Sequence, residues 1–459
     1  MKSFDAIIVG AGQAGPSLAG RLTAAGMSVA FVERKLFGGT CVNTGCTPTK
    51  TMVASAYAAQ MARRAAEYGV TLGNAAIGVD MSAVIARRDA IVLPARNGVE
   101  ASLRGNPRCT VFTGTASFTG PHVMRVGEEE LTAEQIFLNV GGRASVPDLP
   151  GVRDVPFFTN SSLLAFTELP RHLVVVGGSY IGIEFGQIYR RFGSEVTIVE
   201  RAPRLVQRED EDVSAAVQDI LEREGITIRT SAECIDLAPH PEGVLVGTNC
   251  AEPPPNIPGS HVLLAVGRTP NTQDLGLDRA GIAMDKHGYI EVDDQLRTNV
   301  EGVYAIGDCN GRGAFTHTAY NDYEIVAANL LDGGSRRVSD RIPCYALYCD
   351  PPLGRIGMTE AEVLATGRPA LIGTRPMTRV NRAREKGESL GFLKILVDAE
   401  TKQILGASLL GVGCDEAIHS LLDVMYARAP YTTVTHAVHI HPTVSELLPT
   451  VLEDLKPLR

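Results

Sequence analysis

Asp5-Ala6-Ile7-Ile8-Val9-Gly10-Ala11-Gly12-Gln13-Ala14-Gly15 decides how the rest of the chain is read. Its apolar run, β-branched at the centre, predicts a buried strand, the glycines a tight turn, and the alanine-rich Leu18 to Ala25 a helix. Ser28 to Val32 reads as a second strand and leads to Glu33, 23 residues after Gly10. Together these parts meet the needs of a dinucleotide. Glycines let the backbone approach a pyrophosphate, the helix N-terminus supplies free N–H groups and a positive dipole end, and the acid accepts from ribose hydroxyls.

The same grammar returns later. Leu173-Val174-Val175-Val176 leads into Gly177-Gly178-Ser179-Tyr180-Ile181-Gly182, and Val196 to Val199 leads to Glu200, again 23 residues on. Ser179 stands where the middle glycine belongs, so it is expected to crowd a pyrophosphate slightly. Two copies in one chain imply two bound dinucleotides, and the usual reason to hold two is to pass a hydride between them.

The surrounding composition agrees. At about 150 residues per domain, 459 residues predict three domains. With 44% hydrophobic and 21% charged residues the chain is globular, and 47 glycines are more than the ~7% usual share. A net charge of −9 offers no electrostatic footprint for nucleic acid or an anionic membrane. Asp5 directly ahead of the apolar Ala6 to Gly20 argues against a secretory signal, and no apolar run approaches the ~18 residues of a span, so a cytoplasmic location is expected. Thr110 to Phe112 and Met124 to Val126 read as strands, Asn249 to Pro258 as a loop or hairpin connection. Beyond Arg336 the character changes to β-rich runs, Leu393 to Val397 and Ile404 to Leu410, with a helix over Asp415 to Ala429.

Gly38-Gly39-Thr40-Cys41-Val42-Asn43-Thr44-Gly45-Cys46-Thr47-Pro48-Thr49-Lys50 carries the chemistry. A regular helix would separate two cysteines five residues apart by ~7.5 Å, beyond the ~6.8 Å reach of a disulfide. A bonded pair therefore needs distorted backbone, which Gly45 permits, and such a pair beside a dinucleotide site is a redox candidate. A half zinc site is the alternative, because Cys344 and Cys349 repeat the spacing. Against it, Cys344 to Cys349 reads as a strand without a knuckle glycine. That pair is left as incidental, auxiliary redox or metal-handling, and Cys109, Cys234, Cys250, Cys309 and Cys414 as small packing residues.

The two fingerprints, the Cys41/Cys46 motif, Thr298-Asn299-Val300-Glu301-Gly302-Val303-Tyr304-Ala305-Ile306-Gly307-Asp308 and His441-Pro442-Thr443-Val444-Ser445-Glu446 together resemble the pyridine nucleotide-disulfide oxidoreductase family. The resemblance runs in order over nearly the whole chain. It implies an α/β fold with two Rossmann-like dinucleotide-binding domains, for FAD and NAD(P), and a C-terminal α+β dimerisation domain. The expected division is 1–147 and 271–337 for the FAD-binding domain, 148–270 for the NAD(P)-binding domain and 338–459 for the interface. Gly10, Gly12, Gly15 and Glu33 would bind FAD, with Asp308 on its ribityl chain. Cys41 would be the interchange thiol and Cys46 the charge-transfer thiol against the flavin. Lys50, paired with Glu184, would sit near the flavin, and Tyr180 would be the lid where nicotinamide docks. Gly39, Thr40, Lys50, Gly142, Gly177, Ser179, Gly182, Glu200, Arg201 and Gly267 complete the implied cofactor positions. His441 and Glu446 would form an acid–base dyad acting in the other subunit of a homodimer. No resident metal is expected.

The implied activity is hydride transfer from a nicotinamide through flavin to the Cys41–Cys46 disulfide, and on to a disulfide, dithiol or thiol-bound metal. Mercuric or copper ion reduction, dihydrolipoyl dehydrogenase activity and a cysteine-independent quinone diaphorase are the alternatives. The motif wording is most like mercuric reductase-like, reactive-chlorine-resistance and lipoamide dehydrogenase-like members. However, the end Asp454 to Arg459 lacks vicinal cysteines, and His441 is present. Glu200 favours NADH, because a carboxylate repels a 2′-phosphate; Arg201 and Arg204 pull the other way.

Overall fold

In the computed structural model, which describes residues 1–73, 76–248 and 256–458, the opening stretch forms β1 (Lys2–Val9), a glycine turn and α1 (Ala14–Ala24), then β2 (Val29–Glu33). Helices α2 (Gly39–Thr44), α3 (Cys46–Arg63) and α4 (Met81–Arg104) follow. Strands β3 (Cys109–Thr113), β4 (Ala116–Gly120), β5 (Val123–Val126), β6 (Glu129–Leu138) and β7 (Gly142–Ala144) complete this part. The first sheet runs β3-β2-β1-β6-β5-β4, parallel from β3 to β6 and antiparallel beyond. β2 is buried along its whole length, which is why it reads as an unbroken apolar run rather than an alternating one. Ile7 and Val9 point into one core, Ala6 and Ile8 into another on the opposite face with Leu18 of α1.

A second parallel sheet repeats the scheme. After α5 (Asn160–Leu164) come β8 (His172–Val176), α6 (Tyr180–Phe192), β9 (Glu195–Val199), α7 (Glu211–Arg223) and β10 (Thr227–Arg229). An antiparallel trio, β11 (Asp236–His240), β12 (Gly243–Gly247) and β13 (Ile257–Gly259), precedes β14 (His261–Leu264), and the parallel order is β10-β9-β8-β14. The connection expected at Asn249 to Pro258 falls largely outside the described residues. The chain then returns: β15 (Arg268–Pro270) pairs with β7, and β16 (Val303–Ala305) adds to β6, Val303 opposite Ile136. Helix α8 (Thr316–Leu331) packs on α1.

The last part is antiparallel. Strands β17 (Cys344–Leu347), β18 (Leu353–Gly357), β19 (Ala370–Pro376), β20 (Phe392–Asp398), β21 (Ile404–Leu410) and β22 (Lys456–Pro457) lie in the order β17-β18-β21-β20-β19-β22, and the helix Cys414–Tyr426 covers them. One core runs through all three parts: Met52 of α3, Ile183 and Phe185 of α6, and Leu347 and Leu353 of the last sheet share it. Arg191 of α6, 5% exposed, is gripped at 2.6 Å by both Glu224 and Asp350, so the second and third sheets are locked by a buried charge that has its partners. Among the described residues no helix is long and apolar enough to cross a membrane.

Candidate active site

A cavity of about 1040 Å³ opens where the first sheet, the start of α6 and the β17 region meet. Gly10, Gly12 and Glu33 line it at one end, Cys41, Cys46 and Lys50 further along. The first fingerprint is shaped for close approach of a ligand backbone. A Cβ on Gly10 would run into the carbonyl of Asn139, and one on Gly39 would stand 2.6 Å from the Cα of Gly12. Asn139 braces the turn by donating Nδ2 to the carbonyls of Gly10 and Gly12, at 3.0 and 3.2 Å. Glu33 accepts from the Ala11 N–H at 2.8 Å while its side chain borders the cavity. Gly15 does not line it; it lies buried under the turn, where a Cβ would strike the Gly10 carbonyl. This glycine cradle, with the acid at the end of β2 and the N-terminus of α1, fits the pyrophosphate and ribose of FAD. Thr40, Gly142 and Asp308 line the same space. Burial pushes the Asp308 carboxyl up and the Arg268 guanidinium, 3.5 Å away, pulls it down.

The second fingerprint stands outside this cavity except for Tyr180 and Ile181. Gly177 lies under the Ala265 carbonyl, close to the exposed Gly267, and Gly182 under the carbonyl of Gly177. Glu200 holds the turn by accepting from Gly178 N–H at 2.6 Å and Ala202 N–H at 2.7 Å. Ser179 is exposed at the start of α6 and makes no capping hydrogen bond. Arg201 is exposed, whereas Arg204 directs its guanidinium to the carbonyls of Gln207 and Glu209 at 3.3 and 3.2 Å.

Helix α2 stops at Gly45 and α3 starts at Cys46, which is the interrupted backbone that the cysteine spacing demands. A Cβ on Gly45 would lie 2.9 Å from the Thr40 carbonyl. Cys41 and Cys46 are free thiols here, and the hydrogen bond that Cys41 can offer Cys46 ties their ionisations together. Acceptance of that hydrogen bond from Cys41, then the Thr316 hydroxyl at 3.2 Å and the Lys50 charge, hold the Cys46 thiol down at about 6, although burial and Glu184 oppose them. The first turn of an 18-residue helix favours the same thiolate. Cys41, as the donor, is pushed well above the ordinary thiol value, and burial adds to the effect. Lys50 meets both oxygens of Glu184 at 2.8 and 2.7 Å, so α3 and α6 are joined directly beneath the pair.

His441 is not part of this cavity wall. Its Nδ1 sits 2.9 Å from Glu446, but its side chain is 68% exposed, and the neighbouring Val438 and Ile440 are 100% and 79% exposed. Within one chain the dyad is assembled and the dyad and thiols are apart. The other cysteine pair stays separate as well. Cys349 is buried and donates to the Pro351 carbonyl at 3.2 Å, Cys344 is half-buried, and burial pushes both thiols up. Among the described residues the grouping with metal-ligand geometry is Asp210, Asp212 and Glu360, and the Lys394 ammonium occupies it. Cys109, Cys309 and Cys414 are buried thiols, as read. Cys234 corrects that reading: it is disulfide-bonded rather than a packing thiol, and Cys250 lies outside the described residues.

Sequence reasoning missed four participants. Thr316 bonds Cys46. Tyr348 gives its N–H to Glu184 at 3.1 Å and its ring face to Lys50 at 4.7 Å. Arg268 bonds the Gly142 carbonyl at 2.6 Å and faces Asp308. Glu209 receives the hydroxyls of Tyr180 and Tyr345. Each acts across a long stretch of chain, and Thr316, set in Phe315-Thr316-His317, has no motif to mark it.

Comparison with known proteins defines the class. Residues 4–322 match the pyridine nucleotide-disulphide oxidoreductase family and residues 344–452 its dimerisation domain. The chain is 36% identical over 457 residues to the probable pyridine nucleotide-disulfide oxidoreductase RclA of Escherichia coli (strain K12), covering 98% of each. It is 31% identical over 458 residues to a dihydrolipoyl dehydrogenase of Thermus scotoductus, covering 99% of this chain and 98% of that one. The solved HOCl-induced flavoprotein disulfide reductase RclA from Escherichia coli superposes with a TM-score of 0.90 at 35% identity, covering 98% of this chain and 100% of that one. The chain therefore belongs to the pyridine nucleotide-disulphide oxidoreductase family, as an FAD flavoprotein with a dimerisation domain.

Proposed function

We propose that the protein is a homodimeric, NADH-driven disulfide reductase in which Cys46 receives the electron pair and Cys41 exchanges with the substrate. The observation that carries this reading is the thiol pair itself, lining the cavity with the Thr316 hydroxyl 3.2 Å from Cys46 and the Lys50–Glu184 ion pair beside it, a setting that favours the Cys46 thiolate and the Cys41 thiol. Bound FAD supplies the means of taking a hydride from nicotinamide and handing its electron pair to the Cys41–Cys46 disulfide. From the dithiol, deprotonated Cys41 attacks one sulfur of an acceptor disulfide, and the other sulfur leaves as thiolate and takes up a proton. Cys46 thiolate then attacks the Cys41 sulfur, expels the second substrate thiolate, which is protonated in turn, and closes the protein disulfide. Two electrons and two protons reach the acceptor.

Because Cys41 is held protonated, its attack needs a base. His317 borders the cavity but has its Nε2 on the Cys344 carbonyl at 2.7 Å. The His441–Glu446 dyad is the better candidate, and its exposure beside Val438 and Ile440 fits delivery to a second subunit. Glu200, fixed by two backbone N–H groups, would repel a 2′-phosphate, and Arg204 is directed to carbonyls; hence the preference for NADH.

The test is an acceptor panel of glutathione disulfide, lipoamide, mercuric and cupric ions and a quinone, with NADH and with NADPH, on wild type and Cys41→Ser. Disulfide and metal reduction should vanish in the variant while quinone reduction survives. Equal rates in both proteins for every acceptor would overturn the dithiol mechanism, and a strong NADPH preference would overturn the coenzyme assignment.

A further inference from the structure

Tyr180, the first residue of α6, borders the cavity, and its hydroxyl is tied down. It donates to Glu209 Oε1 at 3.3 Å, and the same oxygen accepts from the Tyr345 hydroxyl of β17 at 2.6 Å. The Glu209 side chain is 0% exposed and faces Arg355 of β18 at 3.7 Å, itself 2% exposed and bonded to Ser408 of β21 at 3.0 Å. The rings form one assembly. Tyr180 meets Tyr345 edge-on at 5.6 Å and Phe315 edge-on at 6.1 Å, while Phe315 stacks on Tyr345 at 5.6 Å. Glu209 also closes the loop that begins at Glu200: Val206 N–H bonds the Gly178 carbonyl at 2.9 Å, and Arg204 bonds the Glu209 carbonyl at 3.2 Å.

We propose that Glu209 is the positioning residue for nicotinamide entry: it holds the Tyr180 ring across the cavity, and Tyr345 lets that hold be released. This rests on the reading of Tyr180 as the lid on the nicotinamide side. The two hydroxyls have different strengths. The 3.3 Å bond is the one that opens; the 2.6 Å bond keeps the carboxylate partnered when it does. Without Tyr345, a departing Tyr180 would leave Oε1 of a buried carboxylate bare, which is the expensive outcome. Opening thus depends on a residue of the last sheet that does not line the cavity.

Opposite signs follow for two mild variants. Tyr180→Phe keeps the ring but removes its anchor, so the lid opens more easily: NAD⁺ binds the oxidised holoenzyme more tightly, and leakage of electrons to oxygen rises. Tyr345→Phe makes Tyr180 the remaining hydroxyl on that oxygen, so the lid stays shut and NAD⁺ binds about fivefold more weakly, the equivalent of one neutral hydrogen bond. In Tyr180→Phe/Tyr345→Phe the second effect vanishes. Titration calorimetry of NAD⁺ into the four holoenzymes reads this directly, with melting temperatures confirming that each is folded. Additive effects, or effects of the same sign, would overturn the proposal while leaving the enzyme's function intact. A wild type whose flavin neither NADH nor NADPH reduces would instead remove the function, and the proposal with it.

Discussion

Cys41 and Cys46 are one residue type in opposite electrostatic settings, and the difference is testable on the protein itself. In the reduced enzyme, site-resolved alkylation of Cys46 should titrate with a midpoint near 6, far below the ordinary ~8.5. Cys41→Ala, which deletes the largest cause, should raise that midpoint most; Lys50→Met, which deletes a smaller one, should raise it less. A midpoint that moves in neither variant would mean that the helix terminus alone sets it. The sign for stability follows from linkage. A thiol lower in the folded than in the unfolded state stabilises the reduced protein above the ordinary thiol value, and that contribution fades as pH falls through about 6. Cys41, Cys46, Lys50 and Glu184 were readable because each sits in a motif. Thr316, 270 positions from Cys46, was not, because a hydroxyl at the start of a helix acquires meaning when folding sets it against a sulfur.

At the scale of elements, the strand–turn–helix units were the most legible part of the chain, since a buried parallel strand, a glycine turn and an alanine-rich helix each have their own pattern. Glycines divide sharply by context, and α1 holds both kinds. Gly15 lies under the turn, where an added methyl group strikes the Gly10 carbonyl; Gly20 lies on the exposed side with nothing within 4 Å. Gly15→Ala should therefore push the turn outward and lower the flavin content of purified protein, read as flavin absorbance per chain. Gly20→Ala should keep full flavin and raise stability by about 0.5–1 kcal/mol, the helix-propensity gain, read by denaturant unfolding. Equal flavin contents in both would deny the turn its tight fit. Less legible were contacts between elements, such as Arg268 of β15 with Asp308 and Tyr345 of β17 with Glu209, because nothing local records which distant strands become neighbours.

For the whole molecule, the separation of His441 from the thiols becomes a question of which chain serves which site. The dyad projects beside the exposed Val438 and Ile440 and is held together by the Glu446 hydrogen bond, so it is built before any partner arrives. If it acts across a dimer, two inactive proteins should rescue each other. Cys41→Ser lacks the attacking sulfur but keeps His441; His441→Gln lacks the base but keeps Cys41. In a mixed dimer one site receives Cys41 from one chain and His441 from the other, and is intact; the second site carries both defects. Random reassortment makes half of the molecules mixed, each with one working site, so disulfide reduction should return to about a quarter of wild type. If His441 served its own chain, each chain of the mixed dimer would still carry one defect and no activity would return. Mixing after reversible dissociation, with turnover of a disulfide acceptor followed over time, distinguishes the two, and a lasting absence of rescue in confirmed mixed dimers would place the base elsewhere, with His317 the next group to remove.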